Sequence, residues 1–277
     1  MTDKKIPELT EAEISKVKEK AAEMLGVCKK QNDIIGRQIF SILGRYARVI
    51  YYPLGGDAVW GFTRIKGSTQ GNQEGKPFVA INSSVPLDCQ VFAAAHELYH
   101  IRYDEKADVI PANIISEPVE DRNELKANRF AAEFLVEEEL LLRELHLNSI
   151  DTAKIDIKDV LKLANVFLVP FRTMVKRLYE VNVISKADRN KYLSITDEEI
   201  AAARNRYAIV APSADERIAI DNLTELAVEA YENKRITFEK LEYLLSFSRL
   251  CPPDVGIPDS ARNAFPSDGE LDEIMEG

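Results

Sequence analysis

The chain is short of the residues that most often carry chemistry: its 277 residues include three cysteines, three histidines and one tryptophan. Cys28, Cys89 and Cys251 lie far apart and form no Cys-x-x-Cys pair. That speaks against a disulfide framework or a cysteine zinc site and leaves buried free thiols as the expectation. No run approaches the roughly 20 apolar residues of a membrane span. The start, Met1-Thr2-Asp3-Lys4-Lys5-Ile6-Pro7, lacks the apolar core of a signal peptide, so a cytoplasmic protein with no membrane contact is expected. Basic charge is short as well: 36 Lys and Arg stand against 46 Asp and Glu, a net charge of -10. Broad nucleic-acid binding depends on neutralising phosphates, so direct contact with nucleic acid is disfavoured. What is present is a chain that is 45% hydrophobic, enough to fill the core of one large or two moderate domains.

Two of the three histidines fall in one short stretch, Ala95-His96-Glu97-Leu98-Tyr99-His100-Ile101. On a helix, residues four apart sit one turn above the other, so His96 and His100 present their imidazoles on one face and can reach a single Zn2+. Glu97 leans over the same cavity, placed to take a proton from a water on the metal. Two surface histidines on an amphipathic helix are the alternative. Val91, Phe92, Ala94, Ala95, Leu98 and Ile101 weigh against it, because an apolar flank predicts a buried helix. Buried imidazoles and a buried carboxylate need partners.

Catalytic zinc sites use three protein ligands plus water, so one ligand is missing. His146 and several carboxylates compete, among them Asp104, Glu105 and Asp108. Asp104 and Glu105 follow the motif helix too closely to turn back easily. The choice falls on Glu124, in the helical segment from Arg122 to Leu135, far enough past His100 for a loop and a returning helix. Ala127, Phe130, Ala131 and Phe134 give that helix a packing face whose alanines allow close approach. Asn128, one turn beyond Glu124, can accept the outer N–H of a ligand histidine and fix its tautomer. Glu120, Asp121 and Glu133 are expected to be surface acids. Tyr99, Tyr103 and His146 are candidate donors to a tetrahedral oxyanion.

His96-Glu97-x-x-His100, followed by Glu124-x-x-Ala127-Asn128-x-Phe130-Ala131, resembles the ImmA/IrrE family of zinc metallopeptidases over roughly residues 30 to 185. The resemblance implies a gluzincin-like fold, with the two histidines and Glu124 as ligands and Glu97 as base. It further implies a protein substrate, a helix-turn-helix transcriptional repressor, cut in a stress or mobile-element response. One departure stands out. The family pattern commonly continues into Leu-Leu-Met-Pro, where this chain has Phe134-Leu135-Val136-Glu137, so the helix is expected to run on.

The rest of the chain frames that site. Thr10 and Glu13 have capping-box spacing for a first helix over residues 8–26, with Gly26 to stop it, and a second helix is expected from Asp33 to Gly44. Arg48–Tyr52, Ala58–Ile65 and Phe78–Asn82 read as strands, with Gly55-Gly56-Asp57 as a turn and residues 67–75 as a loop. If the third strand lies at a sheet edge, its backbone can hold an extended peptide over the metal. Residues 104–117 read as a loop bordering the cleft. The expected class is therefore α+β: mostly helical, with a small antiparallel or mixed three-stranded sheet packed on the zinc-binding helix and a helical C-terminal region.

Three regions are expected: a metallopeptidase domain with N-terminal helices over residues 1–150, a helix-turn-helix-like region over 151–211, and a helical hairpin with an acidic tail over 212–277. In the middle region Lys158, Lys162, Arg172, Lys176 and Arg177 are available to phosphate or an acidic partner, or are solvated charges on a packing pair. Two alternatives to a peptidase follow: a non-catalytic regulator acting through DNA or a partner, and a toxin-antitoxin component acting by binding. An intact Glu97 argues against a purely structural metal site, which needs no base.

Overall fold

A computed structural model describes residues 8–55, 59–64, 76–104, 110–112 and 121–259. The chain divides into two compact units, residues 1–216 and 217–277. The boundary falls a few residues past Pro212-Ser213, and the helix-turn-helix-like region lies wholly in the first unit.

The first unit is α+β. Helix α1 (Glu11–Cys28) opens with the capping box foreseen at Thr10 and Glu13. It does not stop at Gly26; the turn closes at Lys29, in left-handed conformation at φ 55°, whose N–H bonds back to Gly26. Helix α2 (Gln38–Tyr46) buries Ile39, Ile42 and Leu43 and leads into strand β1 (Arg48–Tyr52). Strands β2 (Gly61–Arg64) and β3 (Phe78–Asn82) follow, then the long motif helix α3 (Leu87–Tyr103) and a short strand β4 (Ile110–Ala112).

The four strands run in the order β4-β2-β3-β1, a mixed sheet with β1 and β3 parallel and the other pairs antiparallel. β3 is therefore interior, and the expectation that Phe78–Asn82 might serve as a peptide-binding edge is overturned. Its residues Val79, Ala80, Ile81 and Asn82 are all buried, which is what a strand covered on both faces requires. The fourth strand arises where a loop was expected. Pro111 stands opposite Phe62 in its register, and a proline, lacking an N–H, suits an outer position in a sheet. Residues 105–109 and 113–120, which include Glu105, Asp108 and Glu120, lie outside the described residues, as do 56–58 and 65–75.

Asn82 organises the chain between β1 and β3. Its Oδ1 accepts from the Leu54 and Ser84 N–H groups and the Ser84 hydroxyl, while its Nδ2 donates to the Val59 carbonyl. One fully buried side chain thus ties the loops at the sheet's end to the start of α3.

Helix α3 is the centre of the unit. It packs on β2, β3, α2 and helix α4 (Arg122–Leu135), and from Val91 to His100 every residue is buried. Ala93, Ala94 and Ala95 on α3, with Ala127 and Ala131 on α4, are fully buried. Residues this small let two helix backbones approach closely. α4 is capped by the Asp121 carboxylate, which accepts from the Asn123 N–H.

α4 does not run on. It ends at Leu135, and helix α5 (Glu138–Leu147) begins after Val136 and Glu137. The break is held from outside: Arg177 Nε donates to the Val136 carbonyl at 2.8 Å. Arg177 belongs to helix α7 (Phe171–Glu180), which with α6 (Ile157–Phe167), α8 (Lys186–Leu193) and α9 (Asp197–Arg206) completes the unit and shares its core.

Two expectations about charge are corrected here. Glu133 is no surface acid: it is 7% exposed and lies 2.5 Å from both Arg129 Nη2 and Arg177 Nη2. Arg177 is fully buried and is no phosphate ligand. Glu180 completes the cluster, 3.0 Å from Arg129 and 3.4 Å from Arg177. Arg172 stays at the surface but is engaged, donating to the carbonyls of Leu193 and Ile195 and pairing with Asp197. Buried charges are tolerated when paired with opposite charge, and each of the four in the Glu133 cluster has one within 3.4 Å.

The second unit has its own small core of Ala227, Phe238, Leu241, Leu245 and Ile257. Its helices α10 (Leu223–Glu232) and α11 (Phe238–Ser246) form the expected hairpin, joined through Lys234-Arg235-Ile236. A single 3-10 turn, Pro252–Val255, follows where an extended tail was expected. Residues 260–277 lie outside the described set. The cysteines are free, but Cys28 and Cys89 are only half-buried and Cys251 is exposed. Among the described residues no helix is long and apolar enough to cross a membrane.

Candidate metal centre

The sequence of α3 places His96 and His100 one turn apart, and α4 brings Glu124 from the other side. The ring nitrogens His96 Nε2 and His100 Nε2 are 3.1 Å apart. Glu124 reaches both: Oε2 is 3.1 Å from His96 Nε2 and Oε1 is 3.3 Å from His100 Nε2. The three side chains form the one group among the described residues whose ligand atoms converge for a metal ion. Both imidazoles are fully buried and the Glu124 side chain is 14% exposed.

These spacings fit a small tetrahedral cation. With metal–nitrogen distances of about 2.0–2.1 Å, two ligand atoms of a tetrahedral zinc site stand about 3.3 Å apart, close to the 3.1, 3.1 and 3.3 Å found here, where Glu124 meets the two rings with different oxygens. Two facing ring nitrogens with a carboxylate between them also need a positive charge to hold them. Burial pushes the Glu124 carboxyl up, but hydrogen bonds from His100 and His96 outweigh it and bring it down to about 2. Burial likewise opposes a charge on His100, yet Glu124, Glu97 and Asp104 together raise it above the usual imidazole range.

The outer nitrogens are held too. Asn128 Oδ1 lies 2.9 Å from His96 Nδ1, and Asp104 Oδ2 lies 3.3 Å from His100 Nδ1. An oxygen acceptor on Nδ1 fixes the tautomer whose Nε2 lone pair is free for a metal. Asp104, weighed above as an alternative ligand, sits behind a histidine instead. Its position was readable, since residue 104 is one turn beyond residue 100 on the same helix face.

Glu97 is fully buried beside the triangle. Its Oε2 accepts the Thr63 hydroxyl of β2 at 2.5 Å, and its Oε1 has no hydrogen-bond partner among the described residues. Burial raises the Glu97 carboxyl above the ordinary carboxylate range, against the pull of His96, Thr63 and His100. The arrangement can do three things: coordinate a divalent ion, hold two imidazoles in one tautomer, and present a proton acceptor next to the ion.

The other candidates lie elsewhere. Tyr103 donates its hydroxyl to the Lys20 carbonyl of α1 at 3.1 Å. Tyr99 packs its ring against Phe130 and Tyr103 under the Lys20 ammonium, its ring centroid 5.9 Å from that of His100. His146 is exposed on the last turn of α5. Thr63 was missed altogether, since nothing local to a short strand announces what it will face.

Comparison with known proteins places this geometry. Residues 47–179 match the model of a peptidase family, M78, described as the IrrE N-terminal-like domain. Neither curated proteins nor solved structures yield a match. The matched span runs from β1 through α7 and so contains His96, Glu97, His100, Glu124 and their supporting residues. Over those residues the chain is similar to the IrrE N-terminal-like peptidase domain.

Proposed function

We propose that the protein is a cytoplasmic zinc-dependent endopeptidase whose substrate is a helix-turn-helix transcriptional repressor. The observation that carries the metal and the chemistry is the triangle of His96, His100 and Glu124 with Glu97 beside it. The substrate class rests on the family alone.

His96, His100 and Glu124 would hold the ion, and Asn128 and Asp104 orient the two rings. A zinc ion in such a site supplies Lewis acidity toward a carbonyl and a water of near-neutral pKa. The chain's own part is proton handling. Glu97, desolvated and in place, takes the proton released by the attacking water at a carboxylate oxygen and hands it to the amine nitrogen as the peptide bond breaks. Burial of all three HExxH side chains keeps bulk water from competing for that proton.

Support for the competing DNA-binding reading is thin, because of the basic side chains it would use Arg177 is buried in an ion-pair cluster and Arg172 is already bonded to Leu193, Ile195 and Asp197. The test is incubation of purified, zinc-loaded protein with the small helix-turn-helix repressor encoded nearest its gene. Wild type is expected to cut it, and Glu97→Gln is expected to keep its zinc and not cut. No cleavage by the zinc-loaded wild type, or undiminished cleavage by Glu97→Gln, overturns the proposal.

A further inference from the structure

The base of the proposed reaction is not held by its own helix alone. We propose that Thr63 on β2 is the positioning residue of Glu97, pinning Oε2 so that Oε1 is the oxygen that exchanges the proton; this rests on the peptidase reading above.

Four observations carry it. The Thr63 hydroxyl and Glu97 Oε2 are 2.5 Å apart, the length of a hydrogen bond to a charged acceptor, and both side chains are fully buried. The hydroxyl has one proton to give, and it is given to the carboxylate. Thr63 cannot drift, because it is paired on both sides, with Val79 of β3 and with Ile110 of β4. Finally, Oε1 has no hydrogen-bond partner among the described residues, and it lies on the side of Gly61 of β2, where a Cβ would stand 3.4 Å from it.

The terminal torsion of a glutamate is broad and nearly two-fold, so an unheld carboxylate presents either oxygen in many orientations. A hydrogen bond to one oxygen removes that freedom and leaves the other available for reaction, whereas a threonine that merely filled the core would tolerate an isosteric valine. The side of the carboxylate that works is then chosen by the sheet and not by the HExxH helix.

The test compares zinc-loaded wild type, Thr63→Val and Thr63→Ser on the same repressor. Removing the hydroxyl is expected to lower kcat about 10- to 100-fold, with KM and bound zinc unchanged, and serine is expected to restore it. Thr63→Ala serves as a second deletion should the valine methyl groups disturb folding. A readout free of turnover runs alongside: the infrared carboxylate stretch of Glu97, assigned by its loss in Glu97→Gln, is expected to shift in Thr63→Val and return in Thr63→Ser. Wild-type kcat in the valine variant, an unmoved carboxylate band, or loss of zinc together with activity would each overturn the role of Thr63. A wild type that cuts nothing sinks the peptidase reading itself, while the infrared comparison still decides whether Thr63 holds Glu97.

Discussion

Asn128 Oδ1 of α4 faces His96 Nδ1 of α3 at 2.9 Å, holding the ring from behind and not through its Nε2. It fixes a proton on Nδ1 and leaves Nε2 as a lone-pair donor. Asn128→Ala is expected to weaken zinc binding about 10- to 100-fold. Competition with a chelating dye measures this, and an unchanged affinity would show that the ring is held without it.

Asp104 does the same for His100 at 3.3 Å, but with a full negative charge. Asp104→Asn keeps an oxygen and should cost less affinity than Asp104→Ala, which removes the acceptor. The same chelator competition ranks the two, and equal losses would assign the effect to the helix end.

The cluster of Arg129, Glu133, Arg177 and Glu180 predicts a different kind of loss. Arg177→Met takes one of two arginine partners from the buried Glu133 carboxylate and the Arg177 Nε–H from the Val136 carbonyl. Breaking one member of a buried pair costs about 3–5 kcal/mol, so the variant should melt well below wild type. Replacing Glu133 and Arg177 together by apolar residues should recover part of that. A single variant that melts like wild type would show the cluster to be solvated.

Tyr99 and Tyr103 set a limit at high pH. Burial comes first in pushing each phenol up to about 12, with Asp104 and Glu13 adding at Tyr99 and Glu23 at Tyr103. The fold therefore favours the neutral form. The stability this contributes is complete below the ordinary tyrosine value of about 10 and is lost as pH rises toward 12. Absorbance titration at 295 nm should show Tyr99 and Tyr103 among the phenols that ionise late in the folded chain, with Tyr192 also shifted up by burial, all merging with the rest in denaturant. If all the tyrosines titrate together near pH 10, the two rings are not buried as described.

What could be read in advance was what lies within a turn or two of helix. His96, Glu97 and His100 follow from spacing, and the placing of Glu124 and Asn128 follows from the packing face of α4. What escaped depends on pairing between distant segments. Thr63 meets Glu97 only because β2 is laid against β3, and β3 became interior only because β1 joined it in parallel from 30 positions away in register. Charge misled for a related reason. Glu133 and Arg177 look like solvated residues in any window of sequence, and only the docking of α7 on α4 turns them into a buried pair. The missing proline after Leu135 misled because the signal that stops α4 comes from α7.

The parallel pairing of β1 with β3 has a consequence for how the protein comes into being. The base's anchor leaves the ribosome before the imidazoles do, and the third ligand emerges after them, with the arginine that ends its helix later still. A chain ended anywhere between His100 and Glu124 therefore owns the pair of rings and the anchored carboxylate, but not the third side chain of the triangle. The group that converges for a metal is thus completed only once α4 has been made.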